Sequence, residues 1–206
     1  MRTKPVRASE PPNVSATVAR ERSLLDATVR LLGRGGPAAV THRAVAREAG
    51  VSLGVVTYRY PTIDGLLEAA MHHLCGVELG ELTELAMRLS TQAFDLEAWT
   101  GAFAKAIAAD VRRDRESEIA SFELLLDVAR HPRLRAAASS AGLAYERLAE
   151  LALRAAGSTD PERHSRILVA AILGLELKQL AHPRPHFEEE LRTALRVLVT
   201  GLVASP

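Results

Sequence analysis

Between Thr41 and Arg59 the chain reads THRAVAREAGVSLGVVTYR, a run whose hydroxyl, guanidinium and phenol groups suit contact with a nucleic-acid duplex. Phosphate oxygens accept hydrogen bonds from such groups, and an Arg, a hydroxyl or a methyl-bearing side chain can distinguish base edges in the major groove. They work only if short helices aim them. Thr41 can cap a helix whose apolar residues Ala44, Val45 and Ala49 share one face, and Gly50 offers the left-handed conformation that ends it. Val51 plugs the turn. Ser52 can cap a second helix running to about Tyr60, with Val55 and Val56 facing inward or toward the duplex and Gly54 removing bulk where a backbone or phosphate approaches. Two short helices around a glycine turn, followed by a third, are the grammar of a helix-turn-helix.

Other chemistry finds little support. His72 and Cys75 share a helix face beside His73, but no second cluster has ligand spacing, and His182 and His186 flank a proline-rich turn, so no metal and no cofactor are expected. There is no phosphate-cradling glycine loop and no nucleophile elbow, and Glu188 to Glu190 read as favourable charge at a helix amino terminus. No catalytic residue is expected. The single cysteine excludes an internal disulfide. No apolar run approaches the roughly 18 to 20 residues that span a bilayer, so no membrane partner is expected. The amino terminus, MRTKPVRASEPPNVS, lacks the hydrophobic core of a secretory signal and reads as a disordered arm, which points to a cytoplasmic protein.

Composition suits Ala/Leu-rich helical packing, with 48% hydrophobic residues but only 4% aromatic. The net charge of +1 hides an asymmetry: residues 1–60 hold ten Lys or Arg against four acids, leaving −5 for the remainder. A basic head on an acidic body suits a modular nucleic-acid binder. The spacing predicts a first helix from Ser15 or Thr17 to Arg34, with Val18, Leu24, Leu25, Thr28, Leu31 and Leu32 inward, ended by Gly35, Gly36 and Pro37. A fourth helix opens at Pro61 and Thr62, with Ile63, Leu66, Leu67, Ala70, Met71, Leu74 and Val77 repeating at three and four residues. Further helices are expected at about 95–112, 116–131, 133–156, 161–181 and 187–204. No strand pattern appears. The fold class is therefore all-α, with about nine helices in total. In the last two helices Ile167, Leu168, Ala171, Ile172 and Leu175, and Leu191, Leu195, Leu198, Val199 and Leu202, form apolar seams, and Gly174 permits close approach of a neighbouring helix. Two seams on a small domain suggest a surface left for a partner.

At Thr41, Arg43, Val45, Ala46, Ala49, Gly50, Val51, Ser52, Gly54, Tyr58, Tyr60, Leu66 and Leu67 the chain resembles the DNA-binding domain of the TetR (tetracycline repressor-like) family of transcriptional regulators. That pattern runs T-x-R-x-I/V-A, then A-G-V-S-x-G, then an aromatic cluster and a helix opening with L-L. The motif covers roughly residues 17–75. The resemblance implies a homodimer on a palindromic operator in double-stranded DNA, most simply as a repressor released by a small apolar or amphipathic effector. It implies a disordered arm over 1–14, a helix-turn-helix domain over 15–61 and a helical effector-binding and dimerisation domain over 62–206, with 62–80 as the connecting helix. DNA contacts then fall to Thr41, Arg43, Ser52, Leu53, Gly54, Val55, Thr57, Tyr58 and Arg59, while Tyr60 packs against the fourth helix.

The resemblance also implies an effector pocket, for which Trp99, Phe103, Ile107, Phe122, Leu126, Tyr145 and Leu148 are candidates, with Tyr145 or Glu123 as the polar handle. It places pairing at Ile167, Leu168, Ala171, Gly174, Leu175, Leu191, Leu195, Leu198 and Leu202. Two positions depart from the pattern. Leu53 and Ile63 stand where polar or basic residues are usual, so a phosphate contact is missing, which Arg2, Lys4 and Arg7 of the arm can replace. These departures favour the alternative, a helical ligand-binding or adaptor protein that uses its helix-turn-helix for protein contacts.

Overall fold

The computed structural model describes residues 14–205. The expected arm lies outside the described residues except for Val14, where the first helix begins. Nine α-helices and no strand occur among the described residues: α1 (Val14–Gly35), α2 (His42–Glu48), α3 (Leu53–Arg59), α4 (Ile63–Leu89), α5 (Leu96–Arg113), α6 (Arg115–Arg130), α7 (Arg135–Ala155), α8 (Pro161–Ala181) and α9 (Phe187–Ala204). The starts have local causes. Thr41, Thr62, Asp95, Asp114 and Asp160 each accept a hydrogen bond from a first-turn amide of the helix that follows. Gly36 and Gly50 adopt φ of 64° and 67°, the left-handed region that a side chain disfavours, where α1 and α2 end.

Two apolar cores result. The first packs Leu24, Leu32, Val45, Val56 and Leu66 of α1–α4 against Ala120 and Leu124 of α6, Leu134 and Ala141. The head is therefore completed by residues of the body. The second core gathers α5, α7, α8 and α9 around the far half of α4 at Leu82 and Ala86. The connecting helix thus runs to Leu89, beyond the expected limit at residue 80, because its apolar positions continue past Leu74 into this second core. Val18 is 59% exposed, not inward as expected: it keeps the phase of Leu25 but lies ahead of Leu24, the first buried residue of α1. Val77 is likewise exposed, between the two cores.

Head and body touch most closely where α1 crosses the start of α6. A Cβ placed on Gly33 would lie 2.2 Å from the Glu116 carbonyl oxygen and 2.8 Å from its carbon. Only glycine fits there. Gly80 in α4 has open space around it. The two should respond oppositely to alanine in urea unfolding: Gly33→Ala should destabilise by about 1–3 kcal/mol through the backbone clash, while Gly80→Ala should stabilise by up to about 1 kcal/mol through helix propensity.

Candidate nucleic-acid interface and ligand cavity

The interface is built on α3, a helix of only seven residues that cannot hold itself together in water. Val56 is fully buried and anchors it, Val51 and Val55 pack partly beneath it, and the turn before it is closed by Val51 N–H donating to the Ala46 carbonyl at 2.9 Å. His42 Nε2 donates to the Tyr60 carbonyl oxygen at 2.7 Å, tying the start of α2 to the end of α3. With Val56 held inward, Ser52, Leu53, Gly54, Thr57, Tyr58 and Arg59 are all exposed. Tyr58 is 90% exposed and Tyr60 only 8%, so the two phenols separate as their spacing suggests. Thr57 turns its hydroxyl back to the Leu53 and Gly54 carbonyls at 3.1 and 3.3 Å. Its methyl is thereby presented outward, an apolar group of the kind that reads a thymine methyl.

The two caps expected in this segment fare differently. Ser52 occupies the N-cap position, yet its side chain makes no capping hydrogen bond. By contrast Thr41 accepts from Ala44 N–H at 3.1 Å, so its hydroxyl already serves α2 and has one lone pair left for other donors. Arg59 is ion-paired with Glu21 of α1 and lies over the Tyr60 ring at 5.9 Å, while Tyr60 O–H donates to Glu21 at 3.2 Å. This knot joins residues 38 and 39 apart in sequence, and no local pattern announces it. The Arg59 guanidinium holds the Glu21 carboxyl below the usual range, against the opposing effect of burial, and burial raises the Tyr60 phenol.

The ten bases of the head are also partly spent. Arg30 and Arg34 pair with Glu48 at 2.8 and 3.3 Å, and Arg34 reaches Glu116 at 3.0 Å. Arg20, Arg22, Arg43 and Arg47 are exposed. Arg47 was missed by sequence reasoning, although it stands one turn beyond Arg43 on the same face of α2.

A second site lies in the body. A cavity of about 250 Å³ opens between α4, α5, α6, α7, α8 and α9, and Trp99, Phe103, Ile107, Phe122, Tyr145 and Leu148 all line it. Glu123 and Leu126 do not. On α6 the lining face is Glu118, Ser121, Phe122, Leu124 and Leu125; at about 100° per residue Leu126 and Glu123 are carried round it. Leu126 is 54% exposed, and Glu123 sits against Gly36 of the head. Polar lining residues not anticipated from the sequence are Thr100, Asp110, Glu118, Ser121 and Glu176. Phe94, Trp99 and Phe103 form a ladder with centroids 5.7 and 5.6 Å apart, the second pair nearly parallel at 15°.

Several residues expected to pair are interior. Leu168, Leu191 and Leu195 are buried in the chain's own second core, with Leu175, Leu198 and Leu202 packed against it. The outward stripes are Ile167, Ala170, Gly174 and Leu177 on α8 and Thr193, Val197, Gly201 and Ala204 on α9. Of the residues expected to pair, Ile167 and Gly174 lie on these stripes, and Ala171 is partly exposed beside them. Among the described residues no group of three or more His, Cys, Asp or Glu is arranged to hold a metal, and no helix is long and apolar enough to cross a membrane.

Comparison with known proteins matches both parts. A family model described as bacterial regulatory proteins of the tetR family matches residues 24–70, and one described as a tetracyclin repressor-like C-terminal domain matches residues 95–204. The HTH-type transcriptional regulator BetI of Burkholderia cenocepacia is 38% identical over 63 residues, which is 31% of this chain and 32% of that one. The chain thus matches about a third of the length of that curated relative. Among solved structures, the multidrug binding protein EbrR complexed with ethidium is 33% identical over 87% of this chain and 98% of that one, with a TM-score of 0.67. A member of the TetR family from Streptomyces coelicolor A3 is 32% identical over 87% and 97%, with a TM-score of 0.72.

The knot at Glu21 carries a pH signature. A lowered carboxyl contributes stability that is present above its ordinary range and lost as pH falls through the lowered value. Urea titrations should show Glu21→Gln less stable by about 0.5–1 kcal/mol at pH 7, a figure set by the solvent around the pair. The gap should begin to close below about pH 4, where the unfolded carboxyl takes up its proton, and vanish once pH has fallen through the lowered value of the folded one.

Proposed function

The chain belongs to the TetR family of bacterial transcriptional regulators, and on that premise we propose that it binds a palindromic operator as a homodimer and leaves it when a small molecule fills the body cavity. The observation that carries the DNA-reading part is the outward face of α3. Leu53, Gly54, Thr57 and Tyr58 stand exposed on a helix whose other side is locked by Val56, the arrangement needed to enter a major groove. Arg43 and Arg47 flank it on α2 and supply phosphate contacts, as does the Thr41 hydroxyl beside them. Arg59 reaches phosphate from its place beside Glu21, so the same carboxylate that fixes its direction also tempers its charge.

Homodimerisation is supported by the stripes Ile167–Ala170–Gly174–Leu177 and Val197–Gly201–Ala204, small and apolar residues on neighbouring helices that no part of the described chain covers. Two-fold pairing through them presents two copies of α3 to half-sites about one turn apart. An effector role for the cavity is supported by the similar EbrR structures, which hold imidazole, ethidium and proflavin. Release requires that the ligand prefer the conformation in which the two heads are badly spaced. A regulator of this kind acts where the DNA is, in the cytoplasm.

Selection of bound fragments from random DNA by the purified protein should recover a palindrome. A recovered single half-site would remove the dimer from this reading, and no enrichment at low salt would remove the DNA contacts themselves. On the recovered operator, Arg43→Ala and Arg47→Ala should each reduce the slope of log affinity against log salt by about one. Tyr58→Ala should weaken binding severalfold while leaving unfolding stability within about 0.5 kcal/mol, because an exposed side chain contributes little to the fold.

A further inference from the structure

One base lies far from the head in sequence and beside it in space. A recess at the opening of α4 is lined by Pro37, Ile63 and Asp64 of the head and by Asp127, Arg130 and His131 at the end of α6. Asp127 is buried and meets His131 Nδ1 at 2.9 Å, and Asp64 has an interaction of its own. Arg130 differs. It is exposed, and among the described residues no carboxylate pairs with it, unlike Arg30, Arg34 and Arg59. The surrounding sequence is also unlike the rest of the body: residues 128–145 hold Arg130, Arg133 and Arg135 and no Asp or Glu, within a stretch from 61 to 206 whose net charge is −5. Arg135 opens α7 and is exposed as Arg130 is.

We propose that this corner between α6 and α7 is a second DNA contact, carried by the body, in which Arg130 binds a backbone phosphate flanking the half-site that α3 reads. The inference rests on the DNA-reading proposal and goes beyond it by extending the interface past the helix-turn-helix. Ile63 follows Arg59 by four residues, so at no more than about 3.6 Å per residue the opening of α4 lies within about 14 Å of the end of α3. A major groove is about 12 Å wide, so a strand bordering the groove that receives α3 passes near the recess. Ile63 offers phosphate no donor, and Asp64 in the first turn of α4 opposes an anion seated on that helix end. A guanidinium reaching from the neighbouring helix supplies both the charge and a fork of donors. The dipole at the end of α6 favours a base at Arg130, but the same effect disfavours one at Arg135, the first residue of α7, so the basic run has a cause outside the helices themselves.

α6 also carries Phe122 and Leu125 in the cavity wall, within about two turns of Arg130. A ligand that shifts this helix therefore moves the phosphate contact directly.

On the operator selected from random DNA, the full-length protein with Arg130→Gln should bind severalfold more weakly and lower the slope of log affinity against log salt by about one. Arg130→Lys, which keeps the charge, should keep most of that slope. Arg147→Gln, about three turns further along α7 and also exposed, should leave both unchanged. Methylphosphonate linkages, which carry no charge, can replace the phosphates flanking the palindrome one at a time. At the contacted position they should weaken the parent severalfold and Arg130→Gln by less than about twofold. An exposed, unpaired side chain contributes little to the fold, so Arg130→Gln should melt with the parent; if it does not, the linkage series on the parent and on Arg130→Lys decides. A parent indifferent to every flanking linkage overturns the body contact. So does an unchanged slope in Arg130→Gln where Arg43→Ala lowers it, a result that leaves the reading of DNA by α3 standing. A slope unchanged in both variants overturns the two proposals together.

Discussion

What α3 can do depends on a contact made far from it in sequence, the seating of α1 on the first turn of α6 at Gly33. α1 is the member to which the other helices of the head are tied. It holds α3 through Glu21, α2 through Arg30 and Arg34 on Glu48, and α4 through Asp26, which meets His73 at 2.7 Å. Each tie is a partly exposed ion pair or hydrogen bond, screened by solvent and individually weak. The buried core beneath them is shared with α6 and α7, so the head has no complete apolar interior of its own. Its orientation is consequently a property of the whole molecule.

In the proposed response to an effector, that dependence gives α6 two faces. Glu118, Ser121, Phe122 and Leu125 face the cavity, Glu116 and Ala120 meet the head or its core, and Leu124 belongs to both. α4 has a similar double membership, since Met71 and Leu74 belong to the first core and also line the cavity. The sequence points to α4 alone as the lever, because its length is visible in its pattern. The backbone contact at Gly33 adds a stiffer route: side chains can change rotamer to absorb a shift, whereas two abutting main chains must move together. A ligand acting through α6 needs only to favour one of two seatings, and its leverage is limited to the difference in its affinity for them.

Local signals were legible in the sequence and relations between distant segments were not. The cap at Thr41, the turn at Gly50, the opening of α4 at Thr62 and the helices of the body follow from side-chain chemistry within a few residues, and they stand where the pattern puts them, whereas the cap expected of Ser52 does not form. The opposite fates of Tyr58 and Tyr60 were readable for the same reason. Choosing a face of a helix apolar on most sides is harder. In α8 the period of Leu168 and Leu175 and the period of Ile167 and Gly174 are both helical, and only the neighbours in space decide which one is interior. The same ambiguity misplaced Leu126. Glu118 gave no signal because an isolated acid on an amphipathic helix reads as solvated surface until a cavity is found beside it. The Glu21–Arg59 pair is invisible in any window shorter than 38 residues.

Charge accounting shapes the proposed mode of binding. Of the ten bases in the head, Arg2, Lys4 and Arg7 precede the described residues, and Arg30, Arg34 and Arg59 are already engaged by carboxylates of the same chain. The net positive count therefore overstates the field offered to phosphate, since a guanidinium beside a carboxylate releases fewer counterions on binding. α3 is also short and presents few groups to base edges, with Leu53 and the Thr57 methyl able to make apolar contacts only. A single head so equipped is a weak reader. Two heads held at a fixed separation turn the second encounter into an intramolecular one, with an effective concentration set by the rigidity of the connection. The proposed dimer is thus what lets a modest contact surface select an operator, and a change in spacing is what an effector must produce to abolish the advantage.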